Sequence, residues 1–315
     1  MEKLRILFMG TPLFAVTILD KLVQKKLTIS GVVTAPDKPA GRGRKLHRSA
    51  VKTYALEKNL TILQPTNLKS EEFIQRLQGL DINLIIVVAF RMLPKKVWKL
   101  PKHGTFNLHA SLLPNYRGAA PINWAIINGE QKTGNTTFFI DDKIDTGHII
   151  AQQETVIEPN ENAGSLHDRL MNQGANLVYE TVNSIAQGKV KALPQPNNSD
   201  LKTAYKLTKE NTKIDWNQQT KTVYNLIRGL NPYPNAWCEL LNNNQISKVK
   251  IHQTTMELQA HEMEPGTIQI INSKPRVATL DGFLTIEKLQ LPGKRAMDSK
   301  SLCNGYTFEK NAKMR

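Results

Sequence analysis

The run of residues 82–89 limits the possible folds of this chain more than any other segment. It reads Ile-Asn-Leu-Ile-Ile-Val-Val-Ala, almost entirely apolar and rich in β-branched side chains. A strand with one solvent-exposed face alternates apolar and polar residues, whereas a strand covered on both faces is apolar throughout. Because strands of the second kind occur mainly in parallel sheets covered by helices, the run predicts an α/β fold.

Apolar segments of the first half of the chain alternate with helical patterns. Residues 4–9 predict a strand, and the apolar residues after it recur at helical spacing. The same reasoning predicts strands at 29–34, 105–109 and 135–140 and helices at 119–128 and 165–186. This order is typical of an open, doubly wound, Rossmann-like sheet. Gly10 follows the first strand, but the Gly-x-Gly-x-x-Gly pattern of a dinucleotide site is absent, so we reject such a site.

The pattern changes near residue 190. Residues 191–200 are polar, contain proline and show no periodicity, as expected of a linker. After a short helical pattern at 223–229, strand-like segments alternate with turn residues, at 236–241, 248–252, 266–271, 276–279 and 283–290. Such short strands indicate a small β-barrel. We therefore predict a first domain at 1–189, a linker at 190–206 and a second domain at 207–315.

Charge and cysteine content limit the classes of partner and site. The net charge is +15, and both halves of the chain are basic, which favours a polyanionic partner or an anionic substrate. Neither Cys238 nor Cys303 lies in a Cys-x-x-Cys pair or near a histidine at metal-ligand spacing, so we predict reduced thiols and no metal site.

No apolar run approaches the length of about 20 residues that a membrane helix needs. The N-terminal segment also lacks the pattern of a signal peptide, and we expect a cytoplasmic protein.

Two polar side chains lie on one side of the strand predicted at 105–109. Side chains alternate along a strand, so Asn107 and His109 point the same way, while Phe106 and Leu108 point into the sheet packing. Ligands of open α/β sheets bind at strand ends. Asparagine donates hydrogen bonds, and histidine titrates near neutral pH. The pair suits a reaction in which an oxygen gains negative charge while a proton moves.

A cluster of polar residues follows the strand predicted at 135–140 and ends in Ile144-Asp145-Thr146-Gly147. An aspartate in this position could pair with His109 and orient it. Two plainer interpretations stay open on spacing alone. A single histidine on a strand is more often structural, and Asp-Thr-Gly after a strand is more often a turn or a helix cap.

The string NLHASLLPNYRGAAPI at 107–122 closely resembles the folate-dependent formyltransferases, and IDTG at 144–147 resembles the second signature of that family. Four further segments resemble the branch of the family that acts on methionyl-tRNA: FMGTPLFA at 8–15, APDKPAGRGRKL at 35–46, RGLNPYPNAW at 228–237 and LPGKRAM at 291–297. The resemblance spans essentially the whole chain. It implies a Rossmann-like catalytic domain followed by an OB-like, tRNA-binding barrel.

The resemblance also implies a reaction. The formyl donor would be 10-formyltetrahydrofolate, and the acceptor would be the α-amino group of methionyl initiator tRNA, giving N-formylmethionyl-tRNA for translation initiation. The amine would attack the formyl carbon directly, and Asn107 would donate a hydrogen bond to the resulting oxyanion. His109 would stabilise the same oxygen or pass a proton to the folate nitrogen, with Asp145 orienting it. We expect a monomer that needs no metal.

Two loops would bind the substrates. The family's folate-contacting loop corresponds to Ser111, Leu112, Leu113 and Pro114. Its tRNA-contacting residues correspond to Arg42, Arg44 and Lys45. Clustered cations between glycines suit an arm that becomes ordered on a phosphate backbone, although most charge runs are simply solvated surface.

Some positions depart from the family pattern. Leu13 stands where Glu is frequent, and Lys143 and Asn235 stand where Gly is frequent. His148 stands where Asp or Pro is usual. None of them belongs to the catalytic trio Asn107, His109 and Asp145.

Two rival functions follow from the same residues. One is formyl transfer to a nucleotide sugar or an aminoribonucleotide, which the basic loop and basic second domain argue against. The other is a catalytically idle tRNA-binding protein, which the intact trio argues against.

Overall fold

The computed structural model describes residues 3–40, 45–196 and 200–315. These residues form two compact units. The first is built from the chain up to Gly118, Thr133–Thr155 and Asp168–Thr203, and the second from Ala119–Lys132, Val156–His167 and Ala204–Arg315. Two short segments that precede residue 189 therefore pack with the second unit.

Within its described residues, the first unit contains ten strands and five helices, the last of which begins in the second unit. The strands are β1 (Arg5–Gly10), β2 (Thr28–Val33), β3 (Lys38–Ala40), β4 (Lys45–His47), β5 (Ile62–Leu63), β6 (Leu84–Val88), β7 (Thr105–His109), β8 (Arg117–Gly118), β9 (Lys132–Phe139) and β10 (Ile149–Val156). The helices are α1 (Leu13–Gln24), α2 (Ala50–Glu57), α3 (Glu71–Gly79), α4 (Lys95–Trp98) and α6 (Ala163–Ala186).

Seven of these strands form one sheet in the order β10-β9-β7-β6-β1-β2-β5. The strands from β7 to β5 run parallel, and the chain order reverses between β6 and β1. The predicted open, doubly wound, Rossmann-like sheet is confirmed. Strand β9 pairs antiparallel with β7, which the sequence did not predict because apolar periodicity marks a strand but not its direction.

The centre of this sheet is buried on both faces, as the composition of residues 82–89 predicts. All residues of β6 are buried, and Ile6, Leu7, Phe8 and Met9 of β1 are fully covered. Each such side chain contributes roughly 1.5–3 kcal/mol relative to its exposed state. At the end of β1, a Cβ on Gly10 would lie 2.5 Å from the Cβ of Ala15 in α1. Glycine is required there because α1 packs closely on the strand end, and no nucleotide site is needed to explain it.

The second unit contains the remaining elements. Its strands are β12 (Ala236–Asn242), β13 (Gln245–Leu258), β14 (Ile268–Ile271), β15 (Lys274–Ala278), β16 (Gly282–Gln290), β17 (Met297–Asp298) and β18 (Lys313–Met314). Its helices are α5 (Pro121–Ile127), α7 (Thr220–Gly229) and α8 (Ser299–Cys303). Strand β11 (Thr203–Ala204) lies where the two units divide along the chain.

The strands of the second unit close into a small barrel. They pair antiparallel in the order β14-β15-β16-β13-β12-β18, with β17 beside β16. The two ends of this path meet, because Thr267 forms a β-bridge with Lys313 and the amide of Met314 donates to the carbonyl of Gly266 at 2.8 Å. Helix α7 contributes Val223 and Ile227 to the barrel core. The predicted OB-like barrel is confirmed.

Both cysteines are free thiols. Cys238 lies in the barrel core, and its burial raises the pKa of the thiol to about 12, so it stays protonated near neutral pH. Among the described residues, no helix has both the length and the apolar character required to cross a membrane.

A side chain at position 134 is expected to destabilise the first unit. A Cβ on Gly134 in β9 would lie 2.1 Å from the carbonyl oxygen of Gln153 in the neighbouring strand β10. Because strand backbone cannot retreat from such a contact, Gly134→Ala should lower the free energy of unfolding by about 3 kcal/mol in urea denaturation. The control is Gly79→Ala in α3, where the added Cβ meets no atom within 4 Å. Equal unfolding free energies for the two variants would contradict the packing argument.

Candidate active site

Strand β7 carries the first two residues of the predicted trio. Phe106 and Leu108 are buried, while Asn107 is half-buried and its side chain makes no hydrogen bond to any residue in the described ranges. The strand lies beside β6, next to the place where the chain order of the sheet reverses. Ligands of open α/β sheets bind near such reversals, so the amide of Asn107 is available to a ligand in the expected place.

His109 is held between a carbonyl group and a carboxylate. Its Nε2 lies 2.7 Å from the carbonyl oxygen of Tyr116. Because a carbonyl can only accept, Nε2 carries the proton in this contact. Its Nδ1 lies 3.8 Å from Oδ2 of Asp145, which is too long for a hydrogen bond but places two nearly buried side chains side by side. The structure therefore brings the predicted pair His109 and Asp145 together.

Asp145 reaches His109 by an indirect route. Strand β9 runs antiparallel to β7, with Phe139 opposite Phe106, so the turn after β9 starts at the end of β7 remote from His109. The turn folds back: a Cβ on Gly147 would lie 1.6 Å from the carbonyl oxygen of Phe139, so only glycine fits this return. Asp145 itself adopts a left-handed backbone conformation with φ of 55°, which costs roughly 1–2 kcal/mol in a residue with a Cβ.

The side chain of Asp145 has a second partner. Its Oδ2 accepts a hydrogen bond from the backbone amide of Gly118 at 2.9 Å. The side chain is 15% exposed, so the carboxylate is shielded from water but not isolated from it. This amide fixes the carboxylate on the side that faces His109.

The four residues of the predicted folate loop differ in their surroundings. Ser111 is fully buried, and its hydroxyl donates to the carbonyl oxygen of Asn115 at 2.7 Å. Leu113 is also buried, whereas Leu112 and Pro114 are half-buried. Ser111 and Leu113 therefore hold the loop, and Leu112 and Pro114 retain apolar surface that a ligand can contact.

One threonine of β9 holds this loop in place. Thr136 lies opposite His109 in the sheet. Its hydroxyl donates to the carbonyl of Ser111 at 2.6 Å and accepts from the amide of Leu113 at 3.2 Å and from Nε2 of Gln152 at 2.9 Å. These contacts within the protein fix the loop beside His109.

Of the predicted tRNA-contacting residues, Arg42 and Arg44 lie outside the described residues. Lys45 is the first residue of β4, which pairs antiparallel with β3 and forms a short hairpin. Lys38 and Arg48, at the two ends of this hairpin, are exposed. The described part of the basic loop therefore presents positive charge to solvent.

The base of the hairpin is held by polar side chains. Lys52 of α2 forms an ion pair with Asp37, and Nε2 of Gln64 donates to the same carboxylate at 2.9 Å. The hydrogen bonds from Lys52 and Gln64 lower the pKa of Asp37 below its usual value. The hydroxyls of Thr34 and Ser49 also lie 2.7 Å apart across the base. These contacts fix where the hairpin leaves the sheet.

Sequence reasoning missed three residues that shape this site: Tyr116, Thr136 and Gln195. Tyr116 acts through its carbonyl oxygen, which leaves no trace in the choice of side chain. Thr136 stands in an ordinary strand pattern, and Gln195 lies in the stretch predicted to be a linker. The only sequence signal for this part of the site is that residues 115–118 belong to the string at 107–122, which resembles the formyltransferases.

Comparison with protein families matches both parts of the chain. The model described as formyl transferase matches residues 3–182, and the model described as formyl transferase, C-terminal domain, matches residues 206–307. The methionyl-tRNA formyltransferase of Flavobacterium johnsoniae is 58% identical over 100% of both chains. The methionyl-tRNA formyltransferase of Bacteroides fragilis is 50% identical over 100% of this chain and 98% of its own.

Solved structures share the fold at lower identity. WlaRD, a sugar 3N-formyl transferase solved with dTDP and 5-N-formyl-THF, superposes with a TM-score of 0.65 at 22% identity, over 94% of this chain and 100% of its own. HypX from Aquifex aeolicus in complex with tetrahydrofolic acid has a TM-score of 0.65 at 19% identity, over 96% of this chain and 47% of its own. At these identities the similarity concerns the fold.

Replacing the hydroxyl of Thr136 is expected to loosen the loop at 111–114. Thr136→Val keeps the shape of a fully buried side chain but removes three hydrogen bonds, so the free energy of unfolding should fall by about 3 kcal/mol. Hydrogen exchange at the amide of Leu113 should also accelerate.

The matched control is Thr137→Val in the same strand. Thr137 is equally buried, but within the described residues its hydroxyl bonds only to that of Thr181, which also donates to the carbonyl of Leu177. The control should therefore cost only about 1 kcal/mol. A loss in the control as large as that in Thr136→Val would show that the loop does not depend on Thr136.

Proposed function

The chain belongs to the formyl transferase family, and we propose that it transfers a formyl group from 10-formyltetrahydrofolate to the α-amino group of methionyl initiator tRNA. The full-length similarity to methionyl-tRNA formyltransferases supports the acceptor, and the resemblance at 107–122 and 144–147 supports the folate donor. The observation that carries the proposal is that the Asn107 amide, which makes no hydrogen bond within the described residues, lies on the same strand as His109, and that His109 lies beside Asp145.

Asn107 stabilises charge in this reaction. The folate supplies an electrophilic formyl carbon, and negative charge develops on the formyl oxygen when the amine attacks. The Asn107 amide has no competing hydrogen bond within the described residues, so it can donate to that oxygen without first breaking a contact. A donor aimed at developing charge contributes roughly 3–4 kcal/mol to the transition state.

His109 and Asp145 hold and move protons. The attacking amine must lose a proton, and the departing folate nitrogen must gain one. Nε2 of His109 donates to the carbonyl of Tyr116, so Nδ1, which faces the Asp145 carboxylate, has a lone pair that can accept a proton in the reaction. Once Nδ1 carries that proton, it can donate to Oδ2 of Asp145, and contraction of the 3.8 Å distance would then join the two groups by a hydrogen bond.

The residues around the trio fit the two proposed substrates. Leu112 and Pro114 offer apolar surface to the flat folate ring, while Ser111 and Leu113 keep the loop in place. Arg42, Arg44 and Lys45 contact tRNA phosphates, and the hairpin β3–β4, whose base is anchored by Lys52 and Asp37, belongs to the same basic loop. The basic second domain at 207–315 adds contacts to the tRNA backbone. We also propose that the protein works as a cytoplasmic monomer without a metal.

Formyl transfer to three acceptors tests the proposal. The full-length protein is supplied with 10-formyltetrahydrofolate and, in parallel, methionyl initiator tRNA, methionyl elongator tRNA and an amino-sugar nucleotide. We expect product on the initiator tRNA and far less on the elongator tRNA. Product on the amino-sugar nucleotide alone would overturn the acceptor, and no product on any acceptor would overturn formyl transfer.

Removing the amide of Asn107 is expected to lower the rate and leave substrate binding intact. Asn107→Ala should reduce kcat for initiator tRNA by about 10²–10³-fold, with KM values within a few-fold of the wild type, because the amide acts on charge that appears only in the transition state. Asn172→Ala in α6 is the control, since the Asn172 side chain donates, among the residues the structure describes, only to the carbonyl of Asp168 and lies outside the trio. A loss seen mainly in KM would assign Asn107 to binding.

A further inference from the structure

Gln195 lies in the stretch that composition predicts to be a linker, yet its whole side-chain amide is engaged. Its Nε2 donates to the carbonyl oxygens of Asp145 at 2.9 Å and Gly147 at 2.8 Å. Its Oε1 accepts from Arg117, at 3.0 Å from Nε and 2.6 Å from Nη2. One half-buried glutamine therefore bridges Arg117 to both carbonyls of the turn that carries Asp145.

The chemistry of these partners leaves one orientation for the amide. The Arg117 guanidinium only donates, so it must face Oε1 of Gln195. The two carbonyl groups of the turn only accept, so they must face the NH₂ group. Rotating the amide by half a turn would lose all four hydrogen bonds at once. Arg117 thus sets the direction in which Gln195 holds the turn.

The turn needs such support for two reasons. It returns from the far end of β7, and Asp145 adopts a left-handed conformation that is intrinsically unfavourable for a residue with a Cβ. The segment that carries Gln195 is itself fixed, because Leu193 and Ile149 exchange backbone hydrogen bonds of 2.8 and 2.9 Å. Gln195 is therefore presented to the turn by a segment docked on the start of β10.

We propose that Gln195, oriented by Arg117, is a positioning residue that sets the distance and angle between the Asp145 carboxylate and His109. This inference rests on the proposed function, because it concerns the rate of formyl transfer. Gln195 reaches the carboxylate only through the backbone of Asp145. Its loss therefore shifts the reacting groups and leaves the substrate-binding loops unchanged. A misplacement of about 1 Å in reacting groups costs up to roughly 10²-fold in rate.

The test compares Gln195→Met with the wild type in the full-length protein, by single-turnover formyl transfer at saturating 10-formyltetrahydrofolate and methionyl initiator tRNA. We expect the rate to fall about 10-fold to 100-fold. KM for both substrates should stay within about threefold of the wild type, and the variant should stay folded at the assay temperature, although the loss of four hydrogen bonds lowers its thermal unfolding midpoint below that of the control variant. Gln173→Met is the matched control, because half-buried Gln173 accepts one hydrogen bond, from Thr155, and does not contact the turn.

A second variant guards against a folding defect in Gln195→Met. Gln195→Glu has the same shape and keeps an acceptor for Arg117. Its second carboxylate oxygen, however, stands in place of the NH₂ group and cannot donate to the two carbonyl groups of the turn. The same loss of rate at unchanged KM is expected. A rate within twofold of the wild type in either folded variant, or an equal loss in Gln173→Met, would overturn the proposal. Absence of transfer in the wild type would instead overturn the proposed function, so the two failures are distinguishable.

A double-mutant cycle tests the role given to Arg117. If Arg117 acts only through Gln195, Arg117→Met should lower the rate no more than Gln195→Met does. The double variant should then match Gln195→Met alone, because both substitutions break one chain of contacts. Independent, multiplying effects on the rate, or an increase in KM for tRNA in Arg117→Met, would show that Arg117 acts on a substrate and would overturn its role in positioning.

Discussion

The antiparallel direction of β9 is the constraint on which the candidate site depends. It places Thr136 opposite His109, where one hydroxyl can hold the loop at 111–114. It also sends the chain away from His109 before the turn that carries Asp145 begins. A parallel strand in this position would end on the same side as His109 and would deliver an aspartate directly. Here the carboxylate must be brought back, which requires Gly147 and a left-handed Asp145.

The support for that turn comes from residues distant in the sequence. Gly118 donates to the carboxylate, and Gln195 holds the carbonyl group of the same residue. Each contact is a single hydrogen bond with a net value of about 1 kcal/mol, comparable to the cost of one left-handed residue. The turn is therefore stabilised by several hydrogen bonds acting together, and no single one of them is sufficient. A stretch with a linker's composition therefore includes a residue, Gln195, that holds the backbone of this turn.

The sequence predicted those parts of the structure that side-chain patterns determine. The composition of residues 82–89 predicts a strand buried on both faces, and alternation along β7 places Asn107 and His109 together. Strand direction, carbonyl partners such as Tyr116, and the long-range role of Gln195 have no local pattern, so they could not be predicted. One departure has a simple reason: Asn235, where glycine is frequent, adopts φ of 71°, a left-handed conformation that asparagine tolerates better than most residues.

The geometry separates the residues to which we assign the rate of the reaction from those to which we assign affinity for tRNA. The trio is positioned by β7, by the turn at 141–147 and by Gln195, none of which belongs to the basic hairpin. The hairpin has its own anchor, in which Asp37 is held by Lys52 and Gln64. Because the two sets of contacts share no residue, the hairpin can vary its cations without moving Asn107, His109 or Asp145. In such a fold, substitutions in the hairpin leave the packing around Asn107, His109 and Asp145 unchanged, so the two can vary independently.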